Sequence, residues 1–324
     1  MEENLCKIIE KLKSCNSVAI FGHINTDGDC IGSMLALCNF LAAHGKRTDI
    51  FVDSKLPKEY ATIPTFEAIN SELFEEKNYD LFVAIDCSTP ERLGIYKQAF
   101  LDFENTVLVD HHIRSARDYA KFCHVEENTS SCGEVLYKIL KQLDKITPIV
   151  ATCLYAAIIF DTNFLSNNNV SSSTFNIVGE LIDLGADAQN INYYTQRLKT
   201  KKQIKLAAFM LNKVRIYNDV AVLVVKKRQM KRLGVKGSDV SKYLQYINDI
   251  EGVKITVLIK QKARREYCAS LRSLAAYSAN KVAENFGGGG HKNAAGCTYF
   301  GCICKFKKQI LNASKSEIAR VDNA

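Results

Sequence analysis

The chain has 324 residues, 47% of them hydrophobic and 24% charged, which is ordinary for a folded globular protein and long enough for two domains. It contains no apolar run near the roughly 18 residues that a membrane-spanning helix needs, and its acidic, amphipathic start "MEENLCKIIEKLKSC" lacks the basic and apolar regions of a signal peptide. Together with twelve scattered cysteines that form no CxxC pair, these features argue against a membrane protein or a disulfide-rich secreted protein, and they predict a cytoplasmic protein with reduced thiols.

Charge divides the chain into an acidic and a basic part. Residues 1–202 carry a net charge of −7, and residues 203–324 carry a net charge of +15. A strongly basic domain attracts polyanions, although a solvated surface is an equally good explanation for a charge excess taken alone. The split favours two domains with different roles.

In chain order, the first part alternates predicted strands and helices. The short apolar runs "SVAIF" (17–21), "DLFVAID" (80–86) and "TVLVD" (106–110) are typical of strands buried on both faces, and "IGSMLALCNFLAAHG" is a helical pattern that ends at Gly45. Strands that alternate with helices predict an α/β domain with a parallel sheet. The run "TCLYAAIIFDT" fits a helix and a strand equally well, and the polar "LIDLGADAQNINYYTQRLKTKKQ" predicts a helical connection between the domains.

The second part predicts a smaller α+β domain. Its strand patterns are "VAVLVVKK", "VKITVLIKQ" and "EYCASLRS", with a helical pattern "SDVSKYLQYINDI" between the first two. The predicted organisation is therefore a first domain at 1–189, a linker or hinge at 190–202 and a second domain at 203–324.

Acidic and imidazole side chains follow the apolar runs of the first part. They are His23, Asp27 and Asp29 in "GHINTDGDCIGS", Asp86 after "DLFVAI", Asp110, His111 and His112 after "TVLV", and Asp161 after "YAAIIF", which is here taken as a strand. Singly, each has an ordinary explanation as a turn or helix-cap residue. Ligands of open parallel sheets bind at the carboxyl ends of the strands, and so many acids at one edge would repel one another without a cation. The pattern predicts two divalent metal ions.

Carboxylate and imidazole ligands suit Mn²⁺, with Mg²⁺, Co²⁺ and Fe²⁺ as alternatives. No cysteine is expected to be a soft ligand, although Cys30 and Cys87 are adjacent to ligand positions. Two neighbouring metal ions hold an attacking water and a phosphoryl oxygen, which is the arrangement for phosphoester hydrolysis.

Five motifs carry a resemblance to the DHH–DHHA1 phosphoesterases, and above all to the bifunctional oligoribonuclease and 3′-phosphoadenosine-5′-phosphate phosphatase type. The family pattern GHxxPDGDxxGS resembles "GHINTDGDCIGS", and the second, third and fourth motifs resemble "AIDCS", "DHH" and "DTNFL". The C-terminal pattern GGGHxxAAG resembles "GGGGHKNAAG" (287–296). The motifs follow the family order over nearly the whole chain. The resemblance implies an α/β DHH domain followed by an α+β DHHA1 domain, with the active site in the cleft between them.

The resemblance also implies roles for the residues of the first domain. His23 and Asp27 would bind one metal ion, and Asp29, His111 and Asp161 would bind the other, with Asp86 bridging both. His112 would face the substrate phosphate or the attacking water. Asp110 would orient a histidine ring by hydrogen bonding.

In the second domain, the resemblance implies residues that bind the substrate. The backbone of the glycine run, with Gly288, Gly289 and Gly290, would approach a phosphate or base closely, and His291 would contact the substrate. Arg272 would bind the terminal phosphate of a nucleotide as a fork-shaped donor.

Three residues depart from the family pattern. Thr26 stands at the usual proline, Asn163 at the usual glycine of the fourth motif, and Leu165 at the usual phenylalanine. If the glycine position needs a positive φ, asparagine is the next best residue. None of these changes removes an implied metal ligand, so an active enzyme is expected.

The function implied is a metal-dependent phosphodiesterase and phosphatase. Its substrates would be short oligonucleotides or linear dinucleotides, cleaved to mononucleotides, and 3′,5′-bisphosphonucleotides, cleaved to AMP in the adenosine case. The alternatives are a cyclic-dinucleotide phosphodiesterase, an inorganic pyrophosphatase or exopolyphosphatase, and a nucleotide-binding protein without catalysis. No membrane partner is expected, and a homodimer is left open.

Overall fold

Two units make up the chain, Met1–Leu198 and Lys199–Ala324. The computed structural model describes residues 2–70, 79–113, 115–241 and 243–323. The division after Leu198 falls inside the predicted connection at 190–202. The role of that connection as a hinge stays a prediction.

The first unit is built on a parallel sheet. Its strands are β1 (Ser17–Phe21), β2 (Arg47–Phe51), β3 (Ile69–Asn70), β4 (Leu81–Ile85), β5 (Thr106–Asp110) and β6 (Phe122–Val125). Within the described residues, the strand order is β3-β2-β1-β4-β5-β6, and every neighbouring pair is parallel. The predicted strands β1, β4 and β5 are confirmed and adjacent. The strand order changes direction between β1 and β4, which is where ligands bind in such sheets.

Helices cover both faces of this sheet. They are α1 (Glu2–Ser14), α2 (Gly28–Ala43), α3 (Lys97–Asp102), α4 (Cys132–Leu143), α5 (Pro148–Asp161), α6 (Ser172–Asp183) and α7 (Ala188–Asn192). A large aliphatic core, which includes residues of α2, α4 and α5, lies on one face. An aromatic cluster around Phe21, Phe82 and Phe100 lies on the other. The predicted end of α2 is confirmed, since Gly45 has φ +72°.

The ambiguous run "TCLYAAIIFDT" belongs to helix α5, so the treatment of Asp161 as a strand-end residue is wrong. Pro148 occupies the first turn of α5, and the Thr147 side chain caps it by accepting from the Val150 backbone N–H. All residues from Val150 to Ile159 are buried. A helix buried on every side shows no polar stripe, and for this reason periodicity could not separate it from a buried strand.

The second unit contains a mixed sheet. Its strands are β7 (Arg215–Tyr217), β8 (Val220–Val225), β9 (Ile255–Ala263), β10 (Glu266–Ser273), β11 (Gly289–His291) and β12 (Ala294–Phe300). The order within the described residues is β11-β12-β10-β9-β8-β7, with β8 and β9 parallel and the other pairs antiparallel. The predicted strands β8, β9 and β10 are confirmed.

The helices of the second unit are α8 (Lys201–Lys213), α9 (Lys227–Leu233), α10 (Gly237–Ser241), α11 (Leu244–Asn248), α12 (Ala279–Glu284) and α13 (Ile303–Asp322). The single helix predicted for "SDVSKYLQYINDI" is present as the two short helices α10 and α11. None of the helices described in either unit is long and apolar enough to cross a membrane.

Candidate metal centre

The loop after β1 carries the first histidine of the cluster. The side chain of His23 is buried, and its Nδ1 donates to the Ile24 carbonyl oxygen at 2.8 Å. This bond leaves Nε2 facing Asp27 and Asp86, at 3.6 Å from Asp27 Oδ2 and 3.5 Å from Asp86 Oδ2. Thr26, at the usual proline position, stabilises the loop in another way, because its hydroxyl donates to the His23 carbonyl oxygen at 2.8 Å.

The start of α2 positions the two aspartates of the first motif. Asp27 is the N-cap residue, and its Oδ1 accepts from the Cys30 backbone N–H at 3.1 Å. Asp29 is 1% exposed and is held by the N-terminus of α4, where the Cys132 and Gly133 backbone N–H groups donate to its carboxylate at 2.7 and 3.0 Å. A helix N-terminus favours negative charge, so α4 holds the Asp29 side chain at this edge of the sheet and partly offsets the cost of its charge.

Asp86 lies at the centre of the cluster. It follows β4 with φ +56°, a left-handed conformation that aspartate tolerates better than most residues. Its Oδ1 lies 3.6 Å from His111 Nε2 and 3.6 Å from His112 Nδ1, while Oδ2 faces His23. One carboxylate therefore faces both halves of the cluster.

The residues after β5 divide between two positions. The His111 Nε2 atom lies 3.7 Å from Asp29 Oδ2 and 3.9 Å from Asp161 Oδ2. The His112 Nδ1 atom instead hydrogen-bonds the buried Asp110 Oδ1 at 2.7 Å, and its side chain is 40% exposed. The structure therefore brings Asp110 and His112 together as a hydrogen-bonded pair and places His111 inside the acidic cluster.

Asp161 reaches the cluster from the end of α5. Its Oδ2 accepts from Asn169 Nδ2 at 3.4 Å, and the same amide donates to the Ser130 carbonyl oxygen at 2.7 Å. The chain beyond Asp161 turns through three consecutive residues of positive φ, Asn163, Phe164 and Leu165. The Asn163 position therefore has the positive φ that was considered for it. The left-handed conformations of the next two residues were not predicted.

The electrostatics of the cluster show an excess of buried negative charge. Burial raises the pKa of Asp29, Asp86 and Asp161, and neighbouring carboxylates raise it further. Burial would lower the pKa of His23, but the carboxylates of Asp27 and Asp86 outweigh it and raise the pKa to about 9. The cluster is therefore more stable when it holds additional positive charge.

The donor atoms fit divalent metal ions. The buried atoms His23 Nε2 and Asp86 Oδ1 have no hydrogen-bond partner among the described residues. The facing donor atoms lie 3.5 to 3.9 Å apart. These separations are too long for hydrogen bonds but below twice a metal–ligand bond of about 2.1 Å. Two overlapping donor sets result: His23, Asp27 and Asp86, and then Asp29, Asp86, His111 and Asp161.

Cys30 also lies within the cluster. The expectation that no cysteine is a soft ligand therefore stays a prediction. The sulfur of Cys30, a ring nitrogen of His23 and a carboxylate oxygen of Asp86 all lie within 4.8 Å of one another. Cys87 differs, because its thiol donates to the Thr89 carbonyl oxygen at 3.3 Å. Among the described residues, it does not belong to any set of three side chains whose donor atoms are close enough to hold one metal ion. The sequence showed that both cysteines neighbour ligand positions but not the direction of either side chain.

Sequence reasoning missed Arg92 and Asn169, which surround the cluster. Arg92 lies in the 3₁₀ segment Pro90–Tyr96, and its backbone carbonyl oxygen accepts from the Ile24 N–H at 2.7 Å. Its guanidinium lowers the pKa of Asp27, but by less than His23 does. Asn169 lines an open pocket of about 420 Å³ beside His111 and His112. No sequence signal marked Asn169, while an arginine six residues beyond Asp86 was a cation that could have been considered.

The glycines of the C-terminal motif have packing roles in the second unit. A Cβ atom on Gly288 would lie 2.2 Å from the Gly296 carbonyl oxygen, and one on Gly290, which has φ +148°, would lie 2.5 Å from the Ala294 carbonyl oxygen. Close approach of β11 to β12 therefore explains these two glycines. Gly289 differs, because the nearest atom to an added Cβ is 3.9 Å away.

The other residues expected to bind substrate are exposed. Arg272, near the end of β10, is exposed, and its Nη1 donates to its neighbour's carbonyl oxygen, that of Leu271, at 2.9 Å. His291 ends β11 and is exposed as well. Cross-strand pairing brings the two into the same region, because Ala294 of β12 pairs with both Arg272 and His291.

Comparison with known proteins agrees with this combination of sheet and acidic cluster. Residues 17–158 match the N-terminal domain of the DHH family, and residues 218–313 match the DHHA1 domain. The chain belongs to the DHH–DHHA1 phosphoesterase family, whose members are hydrolases that typically bind divalent metals such as Mn²⁺.

Similar proteins of known sequence cover nearly the whole chain. An uncharacterized Mycoplasma pneumoniae protein is 28% identical over 89% of this chain and 88% of its own length. The bifunctional oligoribonuclease and PAP phosphatase NrnA of Mycoplasma genitalium is 25% identical over 95% of this chain and 94% of its own. The NrnA protein of Bacillus subtilis is 22% identical over 91% and 93%.

Solved structures share the fold. The crystal structure of an exopolyphosphatase-related protein from Bacteroides fragilis has a TM-score of 0.86 at 20% identity, covering 99% of this chain and 98% of that one. RecJ from Thermus thermophilus, in complex with Mn²⁺, has a TM-score of 0.51 at 17% identity, covering 97% of this chain and 54% of that one.

Proposed function

We propose that this phosphoesterase hydrolyses linear dinucleotides and other very short oligonucleotides to mononucleotides, and 3′,5′-bisphosphonucleotides to nucleoside monophosphates. The observation that carries the proposal is the cluster around Asp86, where two sets of donor atoms share one carboxylate. The complete donor set argues against a binding protein without catalysis. The match to the NrnA proteins over nearly their whole length supports the substrate class.

The proposed residues of the two metal positions are those of the two donor sets. The first ion would be held by His23 and Asp27, and the second ion would be held by Asp29, His111 and Asp161. Asp86 would contribute to both positions. When bound, a pair of divalent ions lowers the pKa of water to near neutrality and neutralises charge on phosphoryl oxygens. The protein contributes rigidity, because α2, α4 and the ends of β1, β4 and β5 hold the donors in place.

His112 and Asp110 have a different proposed role. The hydrogen bond that His112 donates to Asp110 raises the pKa of His112, so a protonated ring is stabilised beside the 420 Å³ pocket. With Nδ1 bonded to Asp110, Nε2 is the atom that would donate to a phosphoryl oxygen of the substrate. In hydrolysis, a water oxygen forms the new bond to phosphorus, the ester bond breaks, and the departing oxygen takes a proton.

The second unit would hold the rest of the nucleotide. Residues 203–324 carry a net charge of +15, and Arg272 and the backbone of Gly289 would supply donors for a second phosphate. In this proposal, Arg272 would bind the terminal phosphate of a dinucleotide. Longer strands would have additional phosphates for which this assignment provides no partner.

Turnover of a substrate panel under Mn²⁺ tests the proposal. The panel comprises a linear dinucleotide, a longer single strand, adenosine 3′,5′-bisphosphate, a cyclic dinucleotide and pyrophosphate, with product formation followed by chromatography. We expect rapid cleavage of the dinucleotide, slower cleavage of the bisphosphate and little turnover of the other three. Preference for pyrophosphate or the cyclic dinucleotide would overturn the proposed substrate class.

A further inference from the structure

The thiol of Cys30 lies within the first metal position. The residue is 0% exposed, and its Sγ donates a weak hydrogen bond to the Ile85 carbonyl oxygen at 3.6 Å. A Cβ atom on Gly22 would meet this sulfur at 2.9 Å, so the glycine leaves the space that the sulfur occupies. The sulfur is thereby directed to the ends of β1 and β4, where His23 and Asp86 lie.

Two buried polar atoms near this sulfur have no hydrogen-bond partner among the residues that the structure describes. His23 is 1% exposed and Asp86 is 2% exposed, and neither His23 Nε2 nor Asp86 Oδ1 has a hydrogen-bond partner in the described parts of the chain. Sulfur, nitrogen and oxygen donors of Cys30, His23 and Asp86 lie within 4.8 Å of one another. Zinc bonds to sulfur and nitrogen of about 2.3 and 2.1 Å allow donors up to about 4.4 Å apart, so ligation needs only a small movement.

The chemistry of these donors differs from that of the remaining cluster. His23 with Asp27 and Asp86 gives nitrogen and oxygen ligands, which accept Mn²⁺. If the Cys30 thiolate binds the ion in place of Asp27, or in addition to it, the ligands are sulfur, nitrogen and oxygen. This set selects thiophilic ions such as Zn²⁺ and Cd²⁺. The two sets share His23 and Asp86, so the two kinds of ion compete.

We infer that Cys30 is a ligand for thiophilic divalent cations, which bind through Cys30, His23 and Asp86 and displace Mn²⁺ from the first metal position. The inference rests on the proposed metal centre, since His23 and Asp86 belong to both. On binding, the thiol proton passes to solvent, the hydrogen bond to Ile85 breaks and a sulfur–cation bond forms, without electron transfer. The thiolate adds negative charge and occupies a coordination position, so the Zn²⁺ or Cd²⁺ form has lower activity than the Mn²⁺ form.

Cadmium titration of the metal-free full chain tests this inference. All proteins compared carry serine in place of the exposed cysteines Cys6, Cys302 and Cys304, which would bind Cd²⁺ nonspecifically. The thiolate-to-cadmium charge-transfer band in the ultraviolet reports the sulfur–cation bond, and competition with Mn²⁺, followed by electron spin resonance of free Mn²⁺, reports affinity. With Cys30 intact we expect a band that corresponds to one thiolate per chain.

The variant Cys30→Ala should lose this band and bind Cd²⁺ at least about tenfold more weakly, while its Mn²⁺ affinity changes less than about threefold. Cys30→Ser should also lose the band, and it keeps the side-chain volume nearly unchanged. It replaces the alanine variant if that variant unfolds. Cys132→Ala is the matched control, because Cys132 is also 0% exposed and its thiol also donates to a strand carbonyl, that of Val109 at 3.4 Å. Among the described residues, Cys132 does not belong to any set of three side chains whose donor atoms are close enough to hold one metal ion.

The outcomes separate this inference from the proposed function. An unchanged cadmium band in Cys30→Ala and Cys30→Ser, or equal loss in Cys132→Ala, overturns the role of Cys30 while Mn²⁺-dependent turnover still stands. Failure of the intact protein to bind either Mn²⁺ or Cd²⁺ overturns the metal centre itself.

Discussion

The two units of the molecule hold their candidate residues in opposite ways. In the first unit, the metal-binding candidates lie at the ends of adjacent parallel strands and helices, and hydrogen bonds such as those from α4 to Asp29 orient them. Three of the six, His23, Asp29 and Asp86, are buried. In the second unit, Arg272 and His291 are exposed on a mixed sheet. Buried charge of one sign needs a resident counter-ion, whereas exposed basic groups need none and can exchange ligands. This contrast fits the proposal that the first unit holds resident metal ions and the second binds a transient substrate.

The largest expected effect is on Asp86. The variant Asp86→Asn should fold, because asparagine tolerates the positive φ at this position, but should lose at least about a thousandfold in kcat, since loss of a shared carboxylate weakens both metal positions. Steady-state turnover of a linear dinucleotide, with metal content measured in parallel, checks this. The control Asp118→Asn alters an exposed carboxylate of the same unit and should keep normal turnover. Wild-type rates in the Asp86 variant with full metal occupancy would contradict the dinuclear assignment.

The two neighbouring histidines should separate metal binding from substrate contact. His111→Ala should lower metal occupancy, because Nε2 of His111 faces Asp29, Asp86 and Asp161. His112→Ala should keep its metal but lose about a hundredfold in kcat, as expected for a residue that donates a proton or hydrogen bond. Metal analysis after gel filtration and steady-state kinetics distinguish the two. Equal metal loss and equal residual rates in both variants would refute this division.

Arg272 provides the corresponding test in the second unit. Arg272→Ala should raise KM for a phosphate-terminated dinucleotide by about ten- to a hundredfold, because a charge-assisted hydrogen bond of about 1.5–3 kcal/mol is lost. An artificial phosphodiester without a second phosphate should be affected much less. Arg264→Ala, which alters an exposed arginine in the turn between β9 and β10, serves as the matched control. If KM rises equally for both substrates, Arg272 supports the fold and does not bind the second phosphate.

The smallest expected effect is on the pH dependence of stability without metal. The folded-state pKa of His23 is about 9 against an ordinary 6.5, and those of Asp29 and Asp86 are also raised. The folded state therefore binds more protons than the unfolded state, so its stability is highest below about pH 6.5 and falls as the pH rises towards 9, by on the order of 2 kcal/mol.

Urea unfolding of the chelator-treated protein between pH 6 and pH 9 measures this change. Saturating Mn²⁺ should reverse the trend, because metal binding replaces the protons of the cluster and becomes stronger as the pH rises. Stability of the metal-free protein that is constant or rises over this range would show that the buried charges are compensated in another way.

Much of the first unit could be predicted because its signals are local. Apolar runs followed by acids identified β1, β4 and β5, and parallel strands bring their carboxyl ends to one edge. The run ending at Asp161 was misassigned, because a fully buried helix and a buried strand are equally apolar. The position of the Cys30 sulfur beside His23 and Asp86 depends on side-chain direction. The hydrogen bond from Asn169 to Asp161 depends on a contact that the chain makes beyond α5. Periodicity encodes neither.

The second unit was predictable in its strands but less so in its site. The glycine run was expected to approach substrate, yet Gly288 and Gly290 are also required by the packing of β11 against β12. A glycine pattern alone does not distinguish close approach to a ligand from close approach to a neighbouring strand. The residue in which the two explanations separate is Gly289, where the structure leaves space for a side chain.

Anomalous diffraction from crystals of the full chain grown with Mn²⁺ is the decisive experiment for the proposed pair of metal positions around Asp86. Data collected above and below the manganese absorption edge locate the ions without assumptions about ligands. We expect two manganese peaks at full occupancy, one between His23, Asp27 and Asp86 and the other between Asp29, Asp86, His111 and Asp161. A single peak, or peaks away from Asp86, would contradict the proposed pair.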